Sequence, residues 1–454
     1  MSLVGSLNTG LTGILANQKA VETTGNNVAN VNTPGYSRQF ARLSPNIAIN
    51  IQGHIIGQGV NVLEISREYD HFISGQLLNQ HNVLGNESAK KGPLAELERV
   101  FNTGEYSLAS HIERFFGAWH DLSQNPSGYV ERDRVLYEGD NLLDSFAQTK
   151  GELVKIGQNI NLSLTTKVNE INLKVQEVAK LNENIRNKEV LGHTASNDRD
   201  RRDLLLNDLS NMIGIQTYQS EHGQTGVQLP GGLPLVQGNY TAQFESYYDG
   251  DNIQFRIKTG DIIFPATKNN FGGEFRGFLD IRDTLIQELE NSLDELKNSM
   301  VTQVNAQHED GYGLDGITGR PFFSEGSDVI IVEIKSTQEI AAAGATTGAP
   351  GDNENALSIY ALFNAQVIND KESFMEFSGQ MSSTVGTESR RNAMALGGAS
   401  DTLTQLENMR EASVGVSLEQ EIINLTLFQR GFEACCTYVS TIDEMMATVL
   451  NMKR

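Results

Sequence analysis

The stretch Ala29-Asn30-Val31-Asn32-Thr33-Pro34-Gly35-Tyr36-Ser37-Arg38-Gln39 closes an apolar stripe that begins at Leu3. Upstream of it, Leu3, Leu7, Leu11, Ile14, Val21 and Val28 recur at helical spacing on one face. Pro34 bars further helix, Thr33 before it is pushed towards an extended backbone, and Gly35 permits a turn. The amides of Asn26, Asn27, Asn30 and Asn32 suit the loose backbone groups of such a helix end. Tyr36 and Arg38 are then expected to contact something other than their own helix. Gly5, Gly10 and Gly13 lie inside that helix, each costing about 1 kcal/mol relative to alanine. A helix carrying three such penalties is marginal alone and needs a partner.

The other end of the chain supplies a candidate. Leu418, Ile422, Leu425, Phe432, Val439, Ile442, Met446 and Val449 follow a 3–4 alternation apart from two heptad steps, which is a coiled-coil seam. Ser417, with Gln420 and Glu421 after it, reads as an N-cap region. A helix over 418–450 would be about 50 Å long. Either stripe alone reads as a core helix; the two at opposite ends of one chain read as a paired rod.

Between them, Leu164, Val168, Ile171, Val175, Val178 and Ile185 hold a heptad register broken only by Asn182. Leu285, Leu289, Leu293, Leu296, Met300 and Val304 form a second helical row. Residues 68–125, 130–150, 356–380 and 388–410 also carry helical patterning. Over 212–274 the pattern becomes short alternating runs divided by Gly231-Gly232, Asp249-Gly250-Asp251 and Gly272-Gly273, which is a small β insertion. The Ala-, Gly- and Thr-rich stretch 339–354 reads as a loop. The expected fold is mainly α, with paired terminal helices, a long helical-bundle middle and one β insertion.

With 454 residues the chain is too long for one ordinary core. A net charge of −22 argues against nucleic acid and against an anionic membrane surface. Nothing approaches ~18 consecutive apolar residues, so membrane insertion is not expected. The opening residues do not read as a secretory signal, since the first basic residue is Lys19 and Gly and Asn interrupt every apolar run. The two cysteines, Cys435 and Cys436, are adjacent, offer no metal spacing and read as small apolar residues of a buried helix.

Gly311-Tyr312-Gly313-Leu314-Asp315-Gly316 has the glycines of a dinucleotide loop but follows a helix rather than a strand, so a tight turn is the better reading. It also lacks the alternating oxygen ligands of a calcium loop. His54, His71, His81, His111 and His120 show no ligand spacing, and no hydrolase or Walker motif occurs. Asp200-Arg201-Arg202-Asp203 reads as a helix edge paired within the chain. No catalytic residue, cofactor or metal is expected.

The segment from Ala29 to Gln39 resembles the signature of the bacterial flagellar axial proteins, the family of rod, hook and hook-associated proteins. There it lies where the first terminal helix ends. In hook and distal-rod proteins a glycine-rich β segment follows. Here Gly57-Gln58-Gly59-Val60-Asn61-Val62, then Ile65, Arg67, Asp70 and Gln76-Leu77-Leu78, lead into a helix. Further similarities are Asn125-Pro126-Ser127 with Arg132 and Arg134, the stretches 200–210, 272–283 and 311–323, Gly351-Asp352-Asn353, Phe428-Gln429 and Ser440-Thr441-Ile442-Asp443-Glu444-Met445. Together they resemble the hook-associated members that join hook to filament. Two departures are the short β insertion and Cys435-Cys436, which stand where small residues are usual.

The resemblance implies a non-enzymatic structural adaptor in the extracellular flagellum, required for filament assembly. Copies would form a ring of about eleven through a repeated heterologous contact. The hook protein would lie on one side and a second hook-associated protein on the other. Export would use a flagellar chaperone and the type III apparatus, with the chain unfolded. Residues 1–45 and 411–454 would form the terminal coiled coil, 46–211 and 275–410 an α-rich middle, and 212–274 an outer β domain. The expected subunit interface is Leu3, Leu7, Leu11, Ile14, Val21, Leu418, Ile422, Leu425, Phe432, Val439 and Ile442. Asn30, Thr33, Pro34, Gly35, Tyr36 and Arg38 would set the linker. The rivals are another axial part, such as a hook or rod protein, and an extracellular adhesin or cell-wall hydrolase built on axial-type ends. The helix placed directly after 57–62 counts against a hook or rod protein, and no convergent catalytic groups favour a hydrolase.

Overall fold

The structure is a computed structural model describing residues 3–51, 54–102, 104–250, 252–325, 330–346, 349–369 and 371–452. Asp251 of the expected turn, residues 347 and 348 of the expected loop, and the side chain of His54 lie outside the described residues. Helix accounts for 66% of the protein, in keeping with the mainly α expectation.

The chain enters as α1 (Leu3–Ala29) and turns into a β arm of β1 (Gln39–Pro45), β2 (Ile49–Ile51), β3 (His54–Ile56) and β4 (Val60–Arg67). Strands β1 and β4 pair antiparallel, as do β2 and β3. This arm corrects the expectation that a helix directly follows 57–62. Val60, Val62 and Ile65 are β-branched and fit a pleated strand, while Gly59 at φ +85° supplies the turn into it. Helix begins only at α2 (His71–Val100), where Asp70 Oδ1 accepts from the backbone N–H of Phe72 and Ile73.

There follow α3 (Leu108–Gln124), the 62-residue α4 (Tyr129–Val190) and α5 (Ser196–Ile213). The β insertion is β5 (Gln216–Gln219), β6 (Thr225–Gln228), β7 (Pro234–Gln237), β8 (Tyr240–Thr241), β9 (Gln243–Asp249), β10 (Asn252–Thr259) and β11 (Ile262–Ala266). It forms two antiparallel sheets, ordered β5-β6-β7-β8 and β11-β10-β9. Then come α6 (Gly273–Asp280), a π-helical turn at Ile281–Ile286, α7 (Gln287–Asp310), β12 (Phe323–Glu325), β13 (Ile330–Val332), α8 (Glu354–Ala361), α9 (Phe374–Val414) and α10 (Leu418–Asn451).

Packing divides the chain into two units. The first comprises Met1–Gly85, Lys167–Gly273 and Gly398–Arg454; the second comprises Asn86–Thr166 and Glu274–Gly397.

In the first unit the β insertion folds onto the C-terminal part of α4. Asn172 accepts from Phe244 N and donates to Phe244 O, replacing strand pairing at the sheet margin. Asn182, the polar break in the heptad row, is fully buried. Its Nδ2 donates to Thr225 O and Gly238 O, and its Oδ1 accepts from Thr225 N and Arg202 Nη1. One buried amide thus meets four partners, which removes the penalty of placing it in an apolar row. Phe244, Phe255 and Phe271 close the core beneath the second sheet.

The second unit is built around Phe115, Phe116, Trp119, Phe322, Phe323 and Phe374, all fully buried or nearly so. Arg132, 1% exposed, donates to the carbonyls of Pro126, Thr337 and Ile340, and burial lowers its pKa to about 10. The glycine-rich stretch after α7 is a turn, as expected: Gly311 caps the helix and Tyr312 N donates to Ala343 O.

The apolar row of α7 continues into His308, whose Nδ1 lies 2.7 Å from Arg320 O while Ala341 N donates to its Nε2. A carbonyl only accepts and an amide N–H only donates, so the ring is neutral with its proton on Nδ1. Burial holds its pKa down at about 4, below the ordinary 6.5. Folding therefore favours the neutral ring; this stabilisation is complete above pH 6.5 and is lost as pH falls towards about 4. The displacement is worth about 3 kcal/mol. His308→Leu should flatten that slope in urea titrations between pH 7 and pH 4.5, and parallel slopes for parent and variant would refute it.

Candidate assembly interface

Helices α1 and α10 pack antiparallel, and they do so through small residues. The buried positions of α1 are Ser6, Gly10, Ala16, Ala20, Thr23, Thr24 and Asn27, not its leucines. A methyl group added to Gly10 would lie 2.5 Å from Val439 Cγ2, and one added to Gly13 would lie 2.8 Å from Cys435 Sγ. One added to Gly431 would meet Asn17 at 2.6 Å. The helix glycines weaken α1 locally, but at Gly10 and Gly13 they let α10 approach closely. Both cysteines are half-buried rather than buried, because α10 is covered along one side only.

This geometry sorts the expected seam residues. Val439 and Leu425 are half-buried and Ile442 is buried on the covered side of α10. Leu3, Leu7, Ile14 and Val21 are half-buried, while Leu11 is 50% exposed. Leu418, Ile422 and Phe432 are exposed, Ile422 at 58%, together with Val4, Leu15, Ile423, Leu427, Met445, Val449 and Leu450. The structure therefore does not close the apolar stripes upon each other. Two long helices keep apolar surface open, well beyond the scattered exposure of an ordinary monomer surface.

The linker is held far more firmly. Thr33 O accepts from Tyr36 N across Pro34-Gly35, with Gly35 at φ +76°, which is a type II turn. A side chain at Gly35 would also strike Leu204, 2.5 Å from its Cγ. Asn30 donates to Asn26 O and accepts from Thr33 Oγ1, closing the helix end as expected. Pro34 is exposed. Tyr36 departs from expectation: its hydroxyl donates back to Asn27 of its own helix. Burial first, then the nearby Asp200 and Glu421 carboxylates, pushes that phenol up to about 12.

Asn27 is a hub that patterning by apolar residues could not reveal. Its Oδ1 accepts from Gln39 N and Tyr36 Oη, and its Nδ2 donates to Gln39 O and to Glu421 Oε2. Glu421 is fully buried, and its other oxygen accepts from Arg38 Nε at 2.7 Å. Arg38 therefore does leave its own helix, for the first turn of α10. The N-cap expectation at Ser417 is corrected: its side chain makes no cap hydrogen bond, and Glu421 faces inward instead. One sequence signal existed, since Glu421 stands one helical turn before Leu425 and two before Phe428 on the same face.

A second clamp holds the turn to α5. Arg67 Nη1 donates to Asp200 Oδ1 at 2.5 Å and Nη2 to Asp203 Oδ2 at 2.7 Å. Asp200 Oδ2 accepts from Ser37 N. Burial raises the Asp200 pKa, with Arg67 and Ser37 opposing it. Arg410 donates to Gly35 O, Tyr36 O and Ser37 Oγ from α9. The internal pairing expected for the 200–203 cluster is present, extended by Arg201 with Glu177. Among the described residues no group of histidines, cysteines or acids could hold a metal ion, and no helix is long and apolar enough to cross a membrane.

Residues 94–323 match the family model of the flagellar hook-associated protein FlgK helical domain. Residues 7–36 match that of the flagella basal body rod protein, and 411–452 that of the flagellar basal body rod FlgEFG protein C-terminal region. The chain is 26% identical to the flagellar hook-associated protein 1 of Escherichia coli (strain K12) over 76% of its length and 64% of that protein. It is 26% identical to flagellar hook-associated protein 1 of Bacillus subtilis (strain 168) over 98% of its length and 97% of that protein. The chain thus spans less than two thirds of the Escherichia coli relative. The flagellar hook junction protein FlgK from Burkholderia pseudomallei shares the fold, with a TM-score of 0.68 at 14% identity over 75% of this chain and 100% of that one. The terminal models are those of rod proteins, and the helical-domain model between them, matching just over half of the residues, is the discriminating one: the chain belongs to the flagellar hook-associated protein FlgK family.

Proposed function

We propose that this chain is a structural, non-enzymatic adaptor of the extracellular bacterial flagellum, joining hook to filament as a ring of its own copies. Hook protein contacts it on one side and a second hook-associated protein on the other. It reaches that place through the flagellar type III apparatus, with an export chaperone. The observation that carries this reading is the open apolar surface of α1 and α10 beside a firmly clamped linker. Burial of apolar area drives association at about 25 cal/mol per Å², so surface of this extent favours copies of the chain or axial neighbours. Leu3, Leu7, Leu11, Ile14, Val21, Leu418, Ile422, Leu425, Phe432, Val439 and Ile442 supply that interface, part of it facing within the chain and part facing neighbours. Asn30, Thr33, Pro34, Gly35, Tyr36 and Arg38 aim the chain away from the paired helices, and the 212–274 segment faces outward.

Removing residues 418–454 should leave a soluble, folded middle while abolishing filament growth in cells that depend on this chain. The fold is checked by circular dichroism and thermal melting, and assembly by counting filaments. Filament growth with the truncated chain would sink the proposal.

A further inference from the structure

The contact between α1 and α10 is made on the α1 side by small residues, with Tyr438 and Val439 seated over Gly10. Its α1 side offers Gly10, Gly13, Ala16 and Ala20, which present little side chain of their own to α10. The α10 stripe repeats by heptads, so sliding α10 by seven residues would set Phe428 or Ile442 where Cys435 now meets Gly13. Gly431 against Asn17 resists such a slide only through the far end of a flexible side chain. What a slide cannot reproduce is the pocket formed by Asn27 Nδ2 and Arg38 Nε, two donors converging on one buried carboxylate. In either shifted register Glu421 leaves this pocket, and in one of them Phe428 takes its place.

We infer that Glu421 sets the register of α10 against α1, acting as the buried charged key of their contact. The physics is that of a lone polar residue in a coiled-coil seam. A buried charged group with its partners adds little net stability, but misplacing it strands a carboxylate and two donors together. The paired helices would then present their open apolar faces at one fixed axial offset. Only that consequence rests on the assembly reading above; the register belongs to the single chain.

The native Cys435 supplies a reporter. A Cβ at position 13 would lie 3.8 Å from the Cys435 Cβ, the spacing typical of disulfides. In the full chain carrying Gly13→Cys and Cys436→Ser, mild oxidation should join residue 13 to Cys435. Phe428→Cys and Ile442→Cys, introduced separately, place competing thiols one heptad either way, and peptide mapping reads the products. With Glu421 present, the Cys435 product should dominate. With Glu421→Leu, its ratio to the shifted products should fall about tenfold or more, the size expected when a charged hydrogen bond is lost. Glu421→Gln, which keeps an acceptor for Arg38, should restore most of that ratio. Unchanged dominance of Cys435 in Glu421→Leu would overturn the inference. Loss of every cross-link would overturn it too, since Glu421 would then be holding the helices together rather than selecting their offset. Neither outcome depends on filament assembly, so this inference can fail while the adaptor reading stands.

Discussion

Arg67→Met should destabilise the first unit by about 3–5 kcal/mol, the range found when one member of a buried ion pair is removed. Arg67 and Asp200 are each only 8% exposed, and the guanidinium spans both Asp200 and Asp203. Without it two carboxylates face each other, with Ser37 N as the remaining donor to Asp200. The loss has a pH signature. In the variant the folded pKa of Asp200 moves further above its unfolded value, so the protonated form is favoured on folding. The penalty is then absent below the unfolded pKa of about 4 and grows as pH rises towards neutrality. Urea unfolding of parent and variant should therefore converge near pH 4 and diverge at pH 7. A pH-independent difference would point to lost packing, such as the stacking of Arg67 over Tyr69 at 4.5 Å, rather than to stranded charge.

Arg132→Met should have an effect of similar size in the second unit, about 3–5 kcal/mol, for a different reason. Among the described residues no carboxylate bonds to Arg132; three backbone carbonyls share its guanidinium. Removing it relieves the burial of a charge but strands three acceptors, each costing about 1–3 kcal/mol when left unpaired in the interior. Arg132→Lys should recover little, because one ammonium cannot reproduce a fork that meets Pro126 on one side and Thr337 and Ile340 on the other. Thermal melts read the loss, and an unchanged midpoint for Arg132→Met would show that water replaces the guanidinium.

Both arginines were visible in the sequence, Arg67 beside the 57–62 motif and Arg132 after Asn125-Pro126-Ser127. Their partners were not: Arg67 meets Asp200 across 133 positions and Arg132 meets Ile340 across 208. Local chemistry was legible where one residue type has one use. Pro34-Gly35 made a turn, Asn182 marked a polar break, and the 285–304 row became a buried helix face. It misled where two readings competed. Ser417 and Glu421 fitted a cap, yet Glu421 is worth more inward, against Arg38 and Asn27. The β arm was missed because its alternation is short and lies beside a strong helical signal.

By itself the sequence determined that both ends are helices, where the first one stops, that a β segment interrupts a helical chain, and which side chains lie on the apolar faces. Periodicity and backbone stereochemistry act over a few residues, and those properties need nothing more. The tertiary structure alone decided that α1 meets α10 through glycine, alanine and threonine, leaving its leucines partly open. It also decided that Glu421 closes on Asn27 across 394 positions. A helical face states which residues point together, but burial depends on what arrives opposite. Gly10 and Gly13 permitted a closer approach than leucines could, and the helices took it.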